Sequence, residues 1–177
     1  SAYAITPSAL TGGTSNASNY SITYNTGSLT VNKAPLTVTA NSYTKIYGDT
    51  LTLMGSEFST SGLKNNETAT TATLTTLGGV PTAGYSSTPY AITPSAISGG
   101  TFSVNNYDIN YVNGGLTVGK APLAVTANSF VKNYGDAITL NGTEFSASGL
   151  RNNETATSAT LITAGASSNA SVIGSPY

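Results

Sequence analysis

Residues 33–49 read KAPLTVTANSYTKIYGD, and residues 120–136 read KAPLAVTANSFVKNYGD. In each copy a Leu-x-Val-Thr-Ala run with the alternation of a β-strand leads to a Tyr-Gly-Asp sequence that favours a turn. The same offset of 87 residues relates the other repeated motifs, and overlaying residues 1–90 on residues 88–177 gives 54 identities without a gap. The sequence therefore predicts tandem modules of 87 residues.

A second strand signal lies near the end of each period. Tyr20, Ile22 and Tyr24 alternate with small polar residues, and Leu29 and Val31 follow after a turn. The second copy keeps these apolar residues as Tyr107, Ile109, Tyr111, Leu116 and Val118. Because the polar residues between them change, the pattern predicts a half-buried hairpin with its tyrosines on the buried face.

Shorter runs complete the unit. Strands are predicted at residues 50–53, 71–76 and 90–93, the last of them ending at Pro94. The one candidate helix spans residues 62–70, with Asn66 as its N-cap. Such short, frequent strands predict an all-β fold with at most one short helix per unit, either a β-sandwich or a β-grasp-like module. A module of this size buries its own core, so we expect beads on a string.

The position of the module boundary has two solutions. Lys33-Ala34-Pro35 connects two strands without a flexible linker, and Pro35 stiffens that connection. A boundary there predicts the C-terminal part of one repeat at residues 1–32, a complete repeat at 33–119 and the N-terminal part of the next at 120–177. The alternative framing is residues 1–89 and 90–177. Under the first framing the two flanking pieces are separated strands of one fold, which can complement each other between molecules.

The repeated motifs resemble those of a known family. The string Gly-x-Leu-Thr-Val-x-Lys-Ala-Pro-Leu-x-Val-Thr-Ala occurs twice, each time with Lys-x-Tyr-Gly-Asp, Phe-x-x-Ser-Gly-Leu and Tyr-Ala-Ile-x-Pro-Ser. These motifs resemble the MBG/YDG-type repeats of filamentous-haemagglutinin-like giant bacterial adhesins. The resemblance implies a secreted or cell-surface extracellular protein of bacteria, with a structural role in cell adhesion, biofilm or fibre building. It implies no catalytic residue and, as partners, neighbouring repeats of the same polypeptide.

Composition excludes several other classes of function. The chain has 6 basic and 7 acidic residues, a net charge of −1, and no Cys, His or Trp. This balance does not fit nucleic-acid binding, and no apolar run approaches the ~20 residues of a membrane span. Without His or Cys the usual acid–base, thiol and metal chemistries lack their residues, so we expect no enzyme and no cofactor.

Calcium is the alternative ligand that the acidic residues leave open. The carboxylates are Asp49, Glu57, Glu67, Asp108, Asp136, Glu144 and Glu154. Asp49 and Glu57 are the pair expected to approach each other, although no Asp-x-Asp-x-Asp loop is present and Asp49 also fits a turn residue. The sparse basic residues Lys33, Lys45, Lys64, Lys120, Lys132 and Arg151 favour surface solvation, weak ion pairs, or a Lys–Asn cross-link inside a β-module.

The tyrosines offer the alternative function of a lectin-like module that binds glycans or mucin. Tyr20, Tyr24 and Tyr47 are expected on the buried strand face, whereas Tyr85 and Tyr90 lie near Gly and Pro and are the better exposed candidates for glycan contact. Tyr85 is replaced by Val172 in the second copy, which favours a spacer over a binding module. The leading prediction is a rigid stalk of a surface adhesin, with self-association into fibres as a further partner prediction.

Overall fold

The protein is described by a computed structural model over residues 2–173 and 176–177. Its strands are β1 (Ala2–Ile5), β2 (Gly27–Thr30), β3 (Ala34–Ala40), β4 (Tyr43–Ile46), β5 (Phe58–Ser61), β6 (Thr71–Thr75), β7 (Tyr90–Ser98), β8 (Tyr107–Val112), β9 (Gly114–Gly119), β10 (Ala124–Ala127) and β11 (Phe145–Ser148). Short 3-10 turns lie at Ala17–Asn19, Leu77–Gly79, Val104–Asn106 and Ala164–Ala166. The all-β prediction is confirmed.

Strands β3 to β9 build two sheets, and we call residues 33–119 the central unit. In the first sheet β3 lies between β5, which is antiparallel to it, and β8, which is parallel. In the second sheet the order is β4-β9-β7-β6, with β9 parallel to β4 and antiparallel to β7. The result is β-sandwich-like, which selects this fold over the β-grasp-like alternative.

The core follows from the alternation of the strands. On β3, Leu36 and Val38 are buried in one apolar cluster and Ala40 in a second. Strand β7 likewise contributes Ile97 to the first cluster and Ile92 to the second. The remaining buried members are Ala72 and Tyr107 in the first cluster and Leu116 and Val118 in the second. Burial of each large apolar side chain stabilises the fold by about 1.5–3 kcal/mol.

Strand β7 extends beyond the predicted stop at Pro94. Its pairing with β6 shifts between Thr73↔Ser95 and Thr71↔Ser98, so β7 carries one residue more than its partner there. Within this bulge Ala96 has φ +47° and Ile97 is turned into the core. The prediction was wrong because β7 pairs with β9 only up to Ile92, so at Pro94 its one partner strand among the described residues is β6, and an edge position of this kind tolerates proline.

Three further local predictions were wrong. Strands β8 and β9 do not form a hairpin with each other, because β8 pairs with β3 and β9 with β4 and β7. Residues 50–53 form no strand, and residues 62–70 form no helix. Asn65 and Asn66 have φ values of +53° and +57°, and this left-handed pair is incompatible with a right-handed helix.

The residues on either side of the central unit carry smaller sheets. Strands β1 and β2 pair antiparallel in the N-terminal segment (residues 1–32), and β10 and β11 do so in the C-terminal segment (residues 120–177). Residues 20–24 form no strand, and Tyr20 and Tyr24 are exposed rather than buried. The boundary at Lys33-Ala34-Pro35 stays a prediction, as does its alternative.

Candidate functional site: the joint at the Tyr-Gly-Asp turn

The Tyr-Gly-Asp turn (Tyr47-Gly48-Asp49) follows β4 and is held by backbone bonds. Asp49 N donates to Ile46 O over 3.2 Å, and Gly48 N donates to Pro81 O over 3.2 Å. Gly48 has φ +96°, a left-handed conformation that side chains disfavour. The turn is therefore fixed against both the end of its own strand and the loop around residue 80.

A lysine fastens the same turn. The Lys45 ammonium group donates to Asp49 O over 2.8 Å and to Val80 O over 2.5 Å. Burial lowers the pKa of Lys45, while the nearby Asp49 carboxylate opposes that change. Lys45 thus acts as a structural link between two loops, and not as the solvated surface residue that composition favours.

The second Tyr-Gly-Asp turn has the same internal bonds. Lys132 Nζ donates to Asp136 O over 2.9 Å and also to Ser167 O. Gly135 N donates to Ser168 O over 3.1 Å, and Gly135 has φ +99°. The local sequence therefore determines the turn in both copies.

The first turn packs against a loop of the C-terminal segment. A Cβ atom placed on Gly48 lies 2.6 Å from Cγ of Arg151, so the arginine side chain packs directly on the glycine. Tyr47 donates its hydroxyl to the Glu154 carboxylate, and Asn152 Nδ2 donates to Pro81 O over 3.2 Å. Among the described residues other than Gly135 and its two chain neighbours, no heavy atom lies within 4 Å of a Cβ placed on Gly135.

The opposing loop, residues 151–154, has its own fixed geometry. Asn152 and Asn153 have φ values of +53° and +60°, and Glu154 N donates to Arg151 O over 2.9 Å. Residues 64–67 of the central unit repeat this conformation. The Arg151 Nε atom is buried and makes no hydrogen bond in the part of the chain that the structure describes. The loop at residues 151–154 and the Tyr-Gly-Asp turn thus each have a conformation set by their own backbone, and they contact each other in that conformation.

We call the contact of residues 47–49 and 80–85 with residues 120–123 and 149–154 the joint. An aromatic contact belongs to it. The Lys120 ammonium group lies 5.0 Å from the centre of the Tyr85 ring, within the range of a cation–π contact. Beside it an open cavity of about 500 Å³ has a mostly apolar lining that includes Tyr47, Tyr85 and Leu123. The joint therefore combines hydrogen bonds, packing and unfilled apolar surface.

The two residues predicted to contact glycans differ in accessibility. Tyr85 is 56% exposed, in agreement with the expectation, although Lys120 lies over its ring. Tyr90 is half-buried on β7, packs against the second core cluster and donates its hydroxyl to Gly84 O over 3.0 Å. The structure thus places Tyr90 against the core and not in an exposed loop. Glycan contact at Tyr85 and Tyr90 stays a prediction.

The acidic residues considered for calcium make local bonds. The Glu57 carboxylate accepts from Met54 N over 2.9 Å and from Gly55 N over 2.8 Å, and these bonds lower its pKa. Its repeat counterpart Glu144 has a lowered pKa for the same reason, with Asn141 N as the first donor. No group of three or more Cys, His, Asp or Glu residues capable of holding a metal ion occurs within residues 2–173 and 176–177. Calcium stays a predicted alternative ligand.

Sequence reasoning did not identify the residues of the joint as a group. For Arg151 and Lys120 the sequence favours solvation, weak ion pairs or a Lys–Asn cross-link, and Glu154 is one of the carboxylates considered for calcium. The predicted buried position of Tyr47 agrees with its packing against the second core cluster, but does not reveal its bond to Glu154. One signal in the sequence could have pointed to this loop. The chain has only 13 charged residues, yet both copies keep a basic and an acidic residue three positions apart, Lys64 with Glu67 and Arg151 with Glu154. The offset alone does not show that the two loops touch, since they belong to successive repeats.

A family model matches the part of the chain that carries the joint's turn. Residues 36–117, somewhat less than half of the chain, match the MBG domain (YGX type). We use the name MBG domain for these residues, after the model that they match. The predicted resemblance is thereby confirmed, and Tyr47-Gly48-Asp49 lies within the match. No curated protein and no solved structure matches the chain.

The MBG domain is a structural, non-enzymatic type of repeat. Its presence suggests an adhesin-like repeat region. Among the described residues, no helix combines the length and the apolar character that a membrane crossing requires.

Proposed function

We propose that this chain is a rigid segment of the stalk of a large secreted or surface-attached bacterial adhesin, or of an extracellular fibre, acting in cell adhesion or biofilm. A stalk transmits force and keeps its two ends a set distance apart, so its modules must hold fixed orientations. The observation that supports this role is the joint, in which the Tyr-Gly-Asp turn of the MBG domain contacts a loop of the following segment.

The connection between the two segments also favours stiffness. Strand β9 ends at Gly119 and β10 begins at Ala124, so only residues 120–123 connect them. Pro122 restricts this connection further, and Lys120 is tethered to Tyr85. A connection this short with side-chain contacts on both sides differs from a Gly/Ser linker, which behaves as a flexible coil.

The contacts of the joint are specific for one orientation. Arg151 must approach a position without a side chain, which Gly48 supplies, and Tyr47 must reach the Glu154 carboxylate. Hydrogen bonds to a charged partner stabilise by about 1.5–3 kcal/mol each when they are shielded from water, and less when exposed. Together with the packing on Gly48 they favour one relative orientation over many.

A pair of spin labels tests this rigidity. Ser59 on β5 and Ser146 on β11 occupy the same position in successive repeats, and both are exposed. With Ser59→Cys and Ser146→Cys labelled in a chain that has no other cysteine, we expect one narrow distance distribution. A broad, linker-like distribution would rule out the rigid stalk.

Gly48→Ala and Gly135→Ala provide the matched control. Both glycines have a left-handed φ, but only Gly48 faces Arg151. We expect Gly48→Ala to broaden the Ser59–Ser146 distance distribution and Gly135→Ala to leave it narrow. Equal behaviour of the two variants would show that the contact on Gly48 does not set the orientation.

The lectin-like alternative is favoured by one observation, the exposed ring of Tyr85 beside the apolar cavity. Aromatic faces stack on sugar rings, but here the Lys120 ammonium group lies over the ring. Binding of the chain to immobilised mucin and a glycan panel tests this alternative. Saturable binding that Tyr85→Ala abolishes would support the lectin, while a folded chain that does not bind would support the stalk.

A further inference from the structure

The first and the last strands of the central unit pair with each other in one constant register. Strand β3 is parallel to β8, and β4 is parallel to β9. In both pairings the partner lies 73 positions further along the chain, from Ala34↔Tyr107 to Thr39↔Val112 in the first sheet and from Tyr43↔Leu116 to Ile46↔Gly119 in the second. Residues 34–46 and 107–119 therefore form one parallel two-stranded element, which we call the ribbon.

The ribbon passes from the first sheet to the second without losing its register. Its bend lies between the two pairings, where Ser42 and Gly115 keep the same offset, and Gly115 N donates to Ser42 Oγ over 2.9 Å. At the far end of the ribbon, Tyr47 N donates to Gly119 O over 2.9 Å. Hydrogen bonds between the two strands thus continue through the bend and one residue beyond the last pair.

A glycine lets the two strands stay together at the bend. A Cβ atom placed on Gly114 would lie 2.4 Å from Asn41 O and 2.6 Å from Ala40 O. Glycine inside a strand is typical of places where another backbone approaches closely. At the end of the same strand, a Cβ on Gly119 would lie 3.6 Å from Lys45 O, which is an ordinary contact. A side chain is therefore excluded at the bend and tolerated at the end of the ribbon.

The ribbon also carries most of the core. Four of the five largest fully buried side chains lie on it, namely Leu36, Val38, Leu116 and Val118. At its start, the Tyr107 hydroxyl accepts from Lys64 N over 2.8 Å and donates to the Glu67 carboxylate over 2.5 Å. Sliding of one ribbon strand along the other would thus disturb both apolar clusters as well as the backbone bonds.

Tension along the chain would load this ribbon at its two opposite ends. The chain enters the central unit at Lys33, next to the start of the first ribbon strand, and leaves it at Lys120, next to the end of the second. Because the two strands are parallel, these points lie at opposite ends of the ribbon. A pull on them acts along the strands in opposite directions. The bonds between the strands are then loaded together and not one after another.

We propose that the ribbon is a mechanical clamp, which keeps the central unit folded while tension passes through it. This inference rests on the proposed function, since a stalk is the part of an adhesin that carries tension. Forced unfolding begins when residues 34–46 slide along residues 107–119. Resistance to force depends on the rate of unfolding, so the clamp acts without high equilibrium stability.

Single-molecule force spectroscopy of the whole chain tests the clamp. Handles on the two ends of the chain load the ribbon in shear. Opening of the central unit releases residues 34–119, a gain of up to about 300 Å at roughly 3.3–3.6 Å per residue. We expect a single step of this length, without earlier partial release of the unit.

Two other attachment points load the same bonds in sequence. One handle stays at the N-terminal end and the second moves to Asn106→Cys, an exposed residue directly before β8 in a chain without other cysteines. Both handles then act on the same end of the ribbon. The unit should open at less than about half of the shear force, because each hydrogen bond then breaks by itself.

The other end of the ribbon gives an independent version of this geometry. Here the handles are at Thr50→Cys, exposed and shortly after β4, and at the C-terminal end of the chain. The same low force is expected. Urea unfolding of Asn106→Cys and Thr50→Cys, without handles, checks that both have the equilibrium stability of the unaltered chain.

A pair of glycine variants tests the bend in the shear geometry. Gly114→Ala places a Cβ against Asn41 O, so the strands must separate there, and the shear force should fall. Gly119→Ala is the matched control on the same strand and should leave the shear force unchanged. Circular dichroism checks that both variants are folded. If Gly114→Ala does not fold, the comparison of attachment points alone decides.

Three results would overturn the proposal. These are equal forces in the shear geometry and in the two others, release of the central unit in partial steps under shear, and an unchanged shear force in folded Gly114→Ala. In each case the ribbon would not be the element that holds the unit against tension.

The clamp and the rigid stalk fail separately. The Ser59–Ser146 distance reports the orientation of two segments without load, whereas the shear force reports the resistance of the central unit. A narrow distance distribution with equal forces in all geometries leaves the stalk and removes the clamp. A broad distribution with a high shear force does the reverse.

Discussion

Strands β3 and β10 have nearly the same sequence but different surroundings. Residues 36–40 read LTVTA and residues 123–127 read LAVTA. In β3 the Leu and Val side chains are almost completely buried, whereas about half of Leu123, which directly precedes β10, and of Val125 in β10 is exposed. The difference teaches that β-strand propensity and alternation specify a strand, while burial depends on a partner strand some 70 residues away in the chain.

The largest expected effect comes from truncating the leucine that the two strands share. Leu36→Ala should lower the free energy of unfolding of the MBG domain by about 2–5 kcal/mol, because a buried leucine leaves a cavity. Leu123→Ala should cost less than about 1 kcal/mol in the monomer, because its side chain is half exposed. Urea unfolding followed by tyrosine fluorescence measures both. Equal losses would contradict the difference in burial between β3 and β10.

The next effect concerns the tyrosine that covers β3. Tyr107→Phe removes a hydroxyl that bonds to Lys64 N and to Glu67, and the cost should be about 1–3 kcal/mol. The matched change Tyr20→Phe should leave the monomer's unfolding free energy within about 0.5 kcal/mol, since Tyr20 is exposed. Thermal unfolding of dilute samples compares them. A stability loss in Tyr20→Phe at low concentration would place Tyr20 in an intramolecular contact.

A smaller effect is expected at the two Tyr-Gly-Asp turns. Gly48→Ala and Gly135→Ala each place a Cβ on a left-handed residue, which costs roughly 1–2 kcal/mol. Only at Gly48 must Arg151 also move away. We therefore expect faster proteolysis between residues 119 and 124 in Gly48→Ala alone, measured by limited digestion. The same cleavage rate in both variants would show that the Arg151 contact does not protect the connection.

The smallest effect is a dependence on pH. Backbone N–H groups, first that of Met54, lower the pKa of Glu57 in the folded chain below its ordinary value near 4.5. A lowered folded pKa means that the stabilisation is present above the unfolded pKa and is lost as the pH falls through the folded pKa. Between pH 6 and pH 3 the unaltered chain should therefore lose more stability than Glu57→Gln.

Thermal unfolding at a series of pH values measures that difference. Glu144→Gln is the matched control, since Glu144 makes the same type of contact with Asn141 and Gly142 outside the MBG domain. This variant should leave the acid dependence of the domain's own transition unchanged. A domain transition with the same acid dependence in Glu57→Gln would exclude the Glu57 carboxylate as its source.

Much of the fold was readable from the residues. The alternation of Leu36, Val38 and Ala40 predicts a strand with one buried face, and β3 has it. The predictions fail where they concern which strands pair with each other. The run from Tyr107 to Val118 predicts a hairpin, yet β8 and β9 lie in different sheets. Strand β8 pairs with β3, and its Tyr107 shares an apolar cluster with Leu36.

The joint was predictable only in part. Glycine in the Tyr-Gly-Asp turn follows from its left-handed φ, which is a local property of the chain. The packing of Arg151 on Gly48 and the hydrogen bond from Tyr47 to Glu154 depend on the placement of two loops about 100 residues apart. Neither charge nor spacing contains this information, since Gly135 and its neighbours have the same local sequence features without the contact.

The sequence by itself determined the repeat, the all-β character, the turns and the resemblance to MBG repeats, because these depend on short-range propensity and on identity between copies. The tertiary structure decided which strands share a sheet, which Tyr-Gly-Asp turn is in contact, and which tyrosines are buried. The physical reason is that a strand of nearly the same sequence is buried or exposed according to whether a distant segment covers it. Local sequence does not record that segment's position.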